Sequence, residues 1–92
     1  MQIVLKSNFD LPGMLGTDRI ELQEGASVRS LLNLLAQQCH LNLLDPQSGQ
    51  INGSDFTILL NGKEHLFWRQ GLATRLREAD EVQIRVMPLA GG

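Results

Sequence analysis

Apolar and polar residues alternate at the start of the chain. In QIVLKSNF, Gln2 to Phe9, the apolar Ile3, Leu5 and Phe9 fall on one side and Val4 and Lys6 on the other. That period of two predicts a strand. DLPGMLG, Asp10 to Gly16, holds Pro12, Gly13 and Gly16, residues that suit a turn or loop. Alternation resumes in TDRIELQE, Thr17 to Glu24, with Ile20 and Leu22 as its apolar members. Two strands joined by a compact loop predict a hairpin. The period then changes. In EGASVRSLLNLLAQQCH, Val28, Leu31, Leu32, Leu35 and Cys39 recur at helical spacing and form one stripe, with Leu34 off it. Ser27 stands where its hydroxyl can accept a first-turn amide, so the predicted helix starts there and ends near His40.

LNLLDPQSGQINGSD, Leu41 to Asp55, carries Pro46, Gly49, Asn52, Gly53 and Ser54 and predicts a long connection. FTILLN, Phe56 to Asn61, predicts a short, strongly apolar strand at the centre of a sheet. Asn61-Gly62 is a tight-turn pair, leading to a short strand around Glu64 to Phe67. GLATRLREADE predicts a helical turn or loop, and VQIRVM, Val82 to Met87, a last alternating strand. If the last strand lies beside the first, a mixed sheet wraps one helix in an α+β roll.

At 92 residues the chain makes one domain, able to bury a modest core without metals or disulfides. A hydrophobic share of 42 % places it with globular rather than disordered chains. With three Phe, one Trp and no Tyr, that core has to be aliphatic. A net charge of −2 argues against nucleic acid as a partner, which calls for a basic domain. No apolar run approaches the roughly 20 residues of a membrane span. The N-terminus reads as a strand rather than a signal segment. One cysteine cannot make an internal disulfide, which fits a reducing compartment, and the expectation is a cytoplasmic protein.

Few side chains suggest chemistry. Cys39 falls on the apolar helical stripe, where a thiol is inert. His40 and His65 lack a second ligand at metal spacing, so no metal site is expected. Phe67-Trp68 offers two aromatics in a row. Adjacent strand residues point to opposite faces, so one of them would look outward as a docking contact unless the following loop covers both. Arg69, Arg75, Arg77 and Arg85 stand among Glu78, Asp80 and Glu81, the pattern of a solvated face or of a recognition rim.

The chain ends VMPLAGG. Two terminal glycines add nothing to a core, and glycine loses the most backbone freedom on ordering. Gly91 and Gly92 are therefore either a frayed end or a narrow working terminus. LLNGKE before the short strand, GLATRL (Gly71 to Leu76), ADEV (Ala79 to Val82) and the closing PLAGG together resemble the ubiquitin-like β-grasp sulfur carriers. That family includes the small subunit of molybdopterin synthase, the thiamine-pathway carrier and a carrier serving cysteine synthesis. The resemblance spans nearly the whole chain. It implies a β-grasp domain over 1–87, with four to five strands around one main helix, and a flexible tail over 88–92. This chain departs from the family in three places. Ala79 replaces a glycine that tolerates positive φ, which predicts a different turn. The stretch after Val82 is about one residue longer, which predicts a bulge or a shifted tail exit. Met87 stands where a second proline is common.

The resemblance also implies a function. Gly92 would be adenylated by a separate ATP-dependent activating enzyme and converted to a thiocarboxylate. The sulfur would then pass to a synthase subunit, with molybdopterin synthesis the leading pathway and cysteine or thiamine synthesis the alternative. A ubiquitin-like modifier joining Gly92 to lysine amines shares the activation step, and an interaction domain with an idle tail is a third class. In the carrier reading the chain is a co-substrate rather than an enzyme and needs no cofactor. Gly91 and Gly92 keep the tail thin, Pro88 stiffens its root, and Leu89 and Ala90 supply small apolar contacts. Phe67 and Trp68 would join these as partner-binding residues.

Overall fold

The computed structural model describes residues 1–7, 19–40, 43–51 and 56–86, without the side chain of Cys39. The loop expected over Asp10 to Gly16, Phe9, the burial of Cys39, Met87 at the end of the last predicted strand and the tail expected over 88–92 lie outside the described residues.

Strand β1 (Gln2–Ser7) pairs antiparallel with β2 (Arg19–Glu21), Ile3 opposite Ile20, which is the hairpin the alternation predicts. Helix α1 (Val28–Cys39) follows. Ser27 caps it in extended conformation, its hydroxyl accepting the Ser30 amide at 3.2 Å, and His40 closes it in left-handed conformation. Val28, Leu31, Leu32 and Leu35 are buried, while Leu34 is half-buried against the edge of the core. Strand β3 (Phe56–Leu60) turns through Asn61 and Gly62, at φ 51° and 86°, into β4 (Lys63–Glu64). Two left-handed residues in succession make the tight hairpin turn that Asn-Gly favours. Short 3₁₀ turns at His65–Phe67 and Gly71–Ala73 lead to β5 (Glu81–Val86).

The sheet order is β2-β1-β5-β3-β4. β5 runs parallel to β1, Leu5 opposite Val82, and antiparallel to β3, Ile58 opposite Ile84. The centre therefore belongs to β5 rather than to β3, whose apolar run suggested it. β3 lies one place out, between β5 and β4, with only Ile58 of its five residues fully buried. One face of the sheet, with Ile3, Leu5, Ile20, Ile58, Val82 and Ile84, forms a single core with the apolar stripe of α1. Each such side chain contributes about 1.5–3 kcal/mol through removal from water.

Three further expectations change. β4 ends at Glu64, and His65 to Phe67 coil into a 3₁₀ turn rather than continuing the strand. Ala79 keeps the left-handed backbone, at φ 69°, so the turn that glycine would favour forms without it. No bulge interrupts β5 across 81–86, because its register with β3 is regular from Leu60↔Val82 to Phe56↔Val86. Within the long connection, Leu43 is fully buried, Leu44 bridges Ile51, and the Gly49 amide donates to the Asp45 carbonyl at 2.7 Å. That segment is a closed turn anchored in the core. No described helix is long and apolar enough to cross a membrane.

Candidate functional site

The tail follows β5, so the site begins with how that strand is held. At its start, backbone and side chains lock a polar turn. Asp80 accepts the Arg77 amide on Oδ2 at 2.8 Å and the Asn61 side-chain amide on Oδ1 at 3.0 Å. Asn61 Oδ1 in turn accepts the Glu81 amide at 2.9 Å, and the Asn61 amide donates to the Glu81 carbonyl at 2.8 Å. The Ala79 amide donates to the Gln2 carbonyl, and the Val4 amide to the Asp80 carbonyl, both at 2.8 Å. This cluster gives Asn61 of LLNGKE and Asp80 of ADEV a common role: each serves the entry of β5. The Asp80 carboxylate closes a turn instead of standing on a rim.

Beyond that turn, β5 is hydrogen-bonded along both edges, and Val82 and Ile84 are completely buried. Extracting β5 would break the sheet at its middle, between β1 and β3. Val86 is the last described strand residue, paired with Phe56 and 39 % exposed. Pro88, Leu89, Ala90, Gly91 and Gly92, the residues expected to carry the chemistry, follow it outside the described residues.

The two aromatics separate. Phe67 is 66 % exposed, whereas Trp68 is half-buried against the core, its Nε1 donating to the Lys63 carbonyl at 2.9 Å. The His65 ring meets the Trp68 ring edge-on, centroids 6.2 Å apart, and His65 Nδ1 accepts the Ile58 amide at 3.3 Å. Leu66, passed over in the sequence, is 75 % exposed beside Phe67. A strand would have alternated these side chains between faces, and only the 3₁₀ turn places both outward. Arg69, Arg75, Arg77 and Arg85 are all exposed. On the sheet face turned away from α1, Lys6 Nζ meets Glu81 Oε1 at 3.0 Å, an exposed pair worth about 0–1 kcal/mol. Among the described residues, no three His, Cys, Asp or Glu converge as metal ligands. The described residues thus offer a firmly held last strand and an exposed apolar turn.

No protein-family model matches the chain, and no curated protein matches its sequence. Solved structures do. The small archaeal modifier protein 1 (SAMP1) from Methanosarcina acetivorans is 26 % identical with a TM-score of 0.67, over 99 % of this chain and 96 % of that one. The HVO 2177 protein of Haloferax volcanii is 25 % identical with a TM-score of 0.71, over 100 % of this chain and 87 % of that one. A putative molybdopterin converting factor, subunit 1, from Pyrococcus furiosus is 21 % identical with a TM-score of 0.62, over 95 % and 98 %. The similarity takes in at least 95 % of this chain and at least 87 % of each of these proteins. The chain has the ubiquitin-like β-grasp fold, the fold of the sulfur carriers that its motifs resemble.

Proposed function

We propose that this chain is a sulfur carrier working through the carboxylate of Gly92, with molybdopterin assembly as the pathway served. The observation that carries the reading is the sequence PLAGG, one residue beyond the central strand of a β-grasp fold. In the first step a Gly92 carboxylate oxygen attacks the α-phosphorus of ATP on a separate activating enzyme, and pyrophosphate leaves. A sulfide-equivalent nucleophile then attacks the acyl carbon of the adenylate, AMP departs with the bonding electrons, and a thiocarboxylate remains. A synthase subunit accepts that sulfur. The carrier is consumed and recharged, so it is a co-substrate, and it acts where ATP is available, in the cytoplasm.

The tail residues suit insertion into narrow sites on two partners. Gly91 and Gly92 present no side chain, Leu89 and Ala90 present small apolar ones, and Pro88 lowers the ordering cost of entry. Phe67 and Trp68 lie on the segment flanking β3 and serve as partner-binding residues in this reading.

A second reading is favoured by the similarity to SAMP1, a small archaeal modifier protein at 26 % identity: Gly92 is activated in the same way but transferred to a lysine amine. Incubation with ATP, the host's activating enzymes and a sulfur donor, followed by intact-mass and tail-fragment mass spectrometry, separates the two. Exchange of one oxygen for sulfur at Gly92 is the expected result. Isopeptide conjugates without that exchange support the modifier, and neither product with a proven activating enzyme refutes both.

A further inference from the structure

The Asn61-Gly62 pair that turns β3 into β4 also joins two groups able to react with one another. Asparagine is among the chemically labile residues, and its side-chain amide is open to attack by the backbone nitrogen that follows. Glycine leaves that nitrogen unshielded. Here both residues are exposed, and even a Cβ placed on Gly62 would meet no heavy atom within 4 Å.

The fold adds a clamp on the Asn61 side chain. Its Nδ2 donates to Asp80 Oδ1 at 3.0 Å, and its Oδ1 accepts the Glu81 amide at 2.9 Å. Ring closure onto Gly62 turns Cγ tetrahedral and expels Nδ2, so it proceeds only once the bond to Asp80 is given up. The clamp and the reaction compete for the same amide.

We propose that Asn61 is a spontaneous deamidation site, held back in the folded chain by Asp80 and Glu81, and that its conversion releases the entry of β5. The Gly62 nitrogen loses its proton and attacks Cγ. The Cγ–Nδ2 bond breaks, and the departing nitrogen takes up a proton and leaves as ammonia. Water then opens the succinimide that remains. Opening at Cγ gives aspartate; opening at the Asn61 carbonyl carbon gives isoaspartate, with the chain running through Cγ. Nothing is oxidised or reduced.

The products cannot hold the clamp. In aspartate a carboxylate oxygen replaces Nδ2, so a donor–acceptor pair at 3.0 Å becomes two like charges. Isoaspartate also lengthens the backbone by one carbon, inside a turn that needs φ 51° and 86° at its two residues. Either way Asp80 keeps the Arg77 amide and loses its tie to β3. In Asn61→Asp/Asp80→Asn the two groups change places. The carboxylate at 61 still accepts the Glu81 amide and again faces a donor, while the amide oxygen at 80 is left for the Arg77 amide.

The test incubates the full chain in warm, mildly alkaline buffer and follows peptide maps by mass spectrometry, which separate Asn61 from Asn52-Gly53, a pair outside the described residues. Wild type is compared folded and unfolded in guanidinium chloride, and with Asp80→Ala, whose folding is verified by thermal melting. The expected result is conversion of amide to acid at Asn61, with isoaspartate among the products. It should run about tenfold or more slower in folded wild type than in the unfolded chain, with Asp80→Ala between them. Urea midpoints read the consequence: Asn61→Asp falls below wild type, and Asn61→Asp/Asp80→Asn recovers most of the loss. No conversion in the unfolded chain overturns the site, and equal rates in folded and unfolded wild type overturn the clamp. A wild-type midpoint in Asn61→Asp, or no recovery in the exchanged pair, overturns the release of β5.

Discussion

Ala79 holds φ 69°, a conformation that costs an L-residue roughly 1–2 kcal/mol and glycine very little. The surrounding bonds impose it. The Ala79 amide is drawn to the Gln2 carbonyl, and Asp80 is tied on both sides, to Arg77 and to Asn61. Ala79→Gly relieves the strain at the cost of a looser unfolded chain, so it should stabilise the protein by about 0.5–1 kcal/mol. Urea unfolding reads this directly, and a lower midpoint for the variant would show that the turn is not strained. Asn61 also sits at positive φ, yet asparagine tolerates the left-handed region and here its side chain bonds both Asp80 and Glu81. The two positions look alike in backbone and differ in what a substitution would do.

The segment between α1 and β3 shows how an element can hide in a connection. Pro46 and Gly49 mark it as a loop, and the turn at Asp45 to Gln50 agrees, with Asp45 Oδ1 accepting the Gln47 amide at 2.9 Å. Arg29 of α1 donates to the Gly49 carbonyl at 3.0 Å, binding the turn to the helix. Leu43, however, is as buried as any residue of α1. Leu43→Ala should therefore cost about 2–5 kcal/mol, the range of buried Leu truncations, not the small penalty of a loop change. Chemical denaturation of the variant measures it; a loss under 1 kcal/mol would mean that the segment is not part of the cooperative core. Helix α1 needs no such correction, because its stripe and its Ser27 cap are local properties of twelve residues and one hydroxyl.

The fold also closes on its own N-terminus. The Met1 ammonium donates to the Leu22 carbonyl at 2.8 Å and to Glu21 Oε1 at 3.1 Å, with Glu24 Oε1 3.6 Å away, while the Met1 side chain packs on the core. The hydrogen bond to Glu21 raises the amine's pKa above the usual 8.0, against a desolvation effect in the opposite sense. A folded-state pKa above the unfolded one means that this stabilisation is complete below pH 8 and declines as pH rises through the raised value. The urea midpoint of the wild type should fall between pH 7 and pH 9.5, and in Glu21→Gln most of that fall should disappear. Equal slopes in the two proteins would assign the pH dependence to other groups.

Much of this architecture was legible from one sequence because its determinants are local. Alternation in QIVLKS and VQIRV, the helical stripe with its cap, and Asn61-Gly62 each specify an element through neighbours within a few positions. At Gly91 and Gly92 the sequence supplies residue type alone, two positions without side chains, and they lie outside the described residues. Other features depend on residues far apart in the chain. The central place of β5 comes from β1 and β3 closing on its two edges, and burial of Leu43 comes from the core it meets. Positive φ at Ala79 is imposed by Gln2 and Asn61 across the sheet end. The outward turn of Leu66 and Phe67 is of this second kind. A period of two would have split the pair between faces, and it took the imidazole of His65 on the Ile58 amide, and Trp68 folded against the core, to put both on the surface.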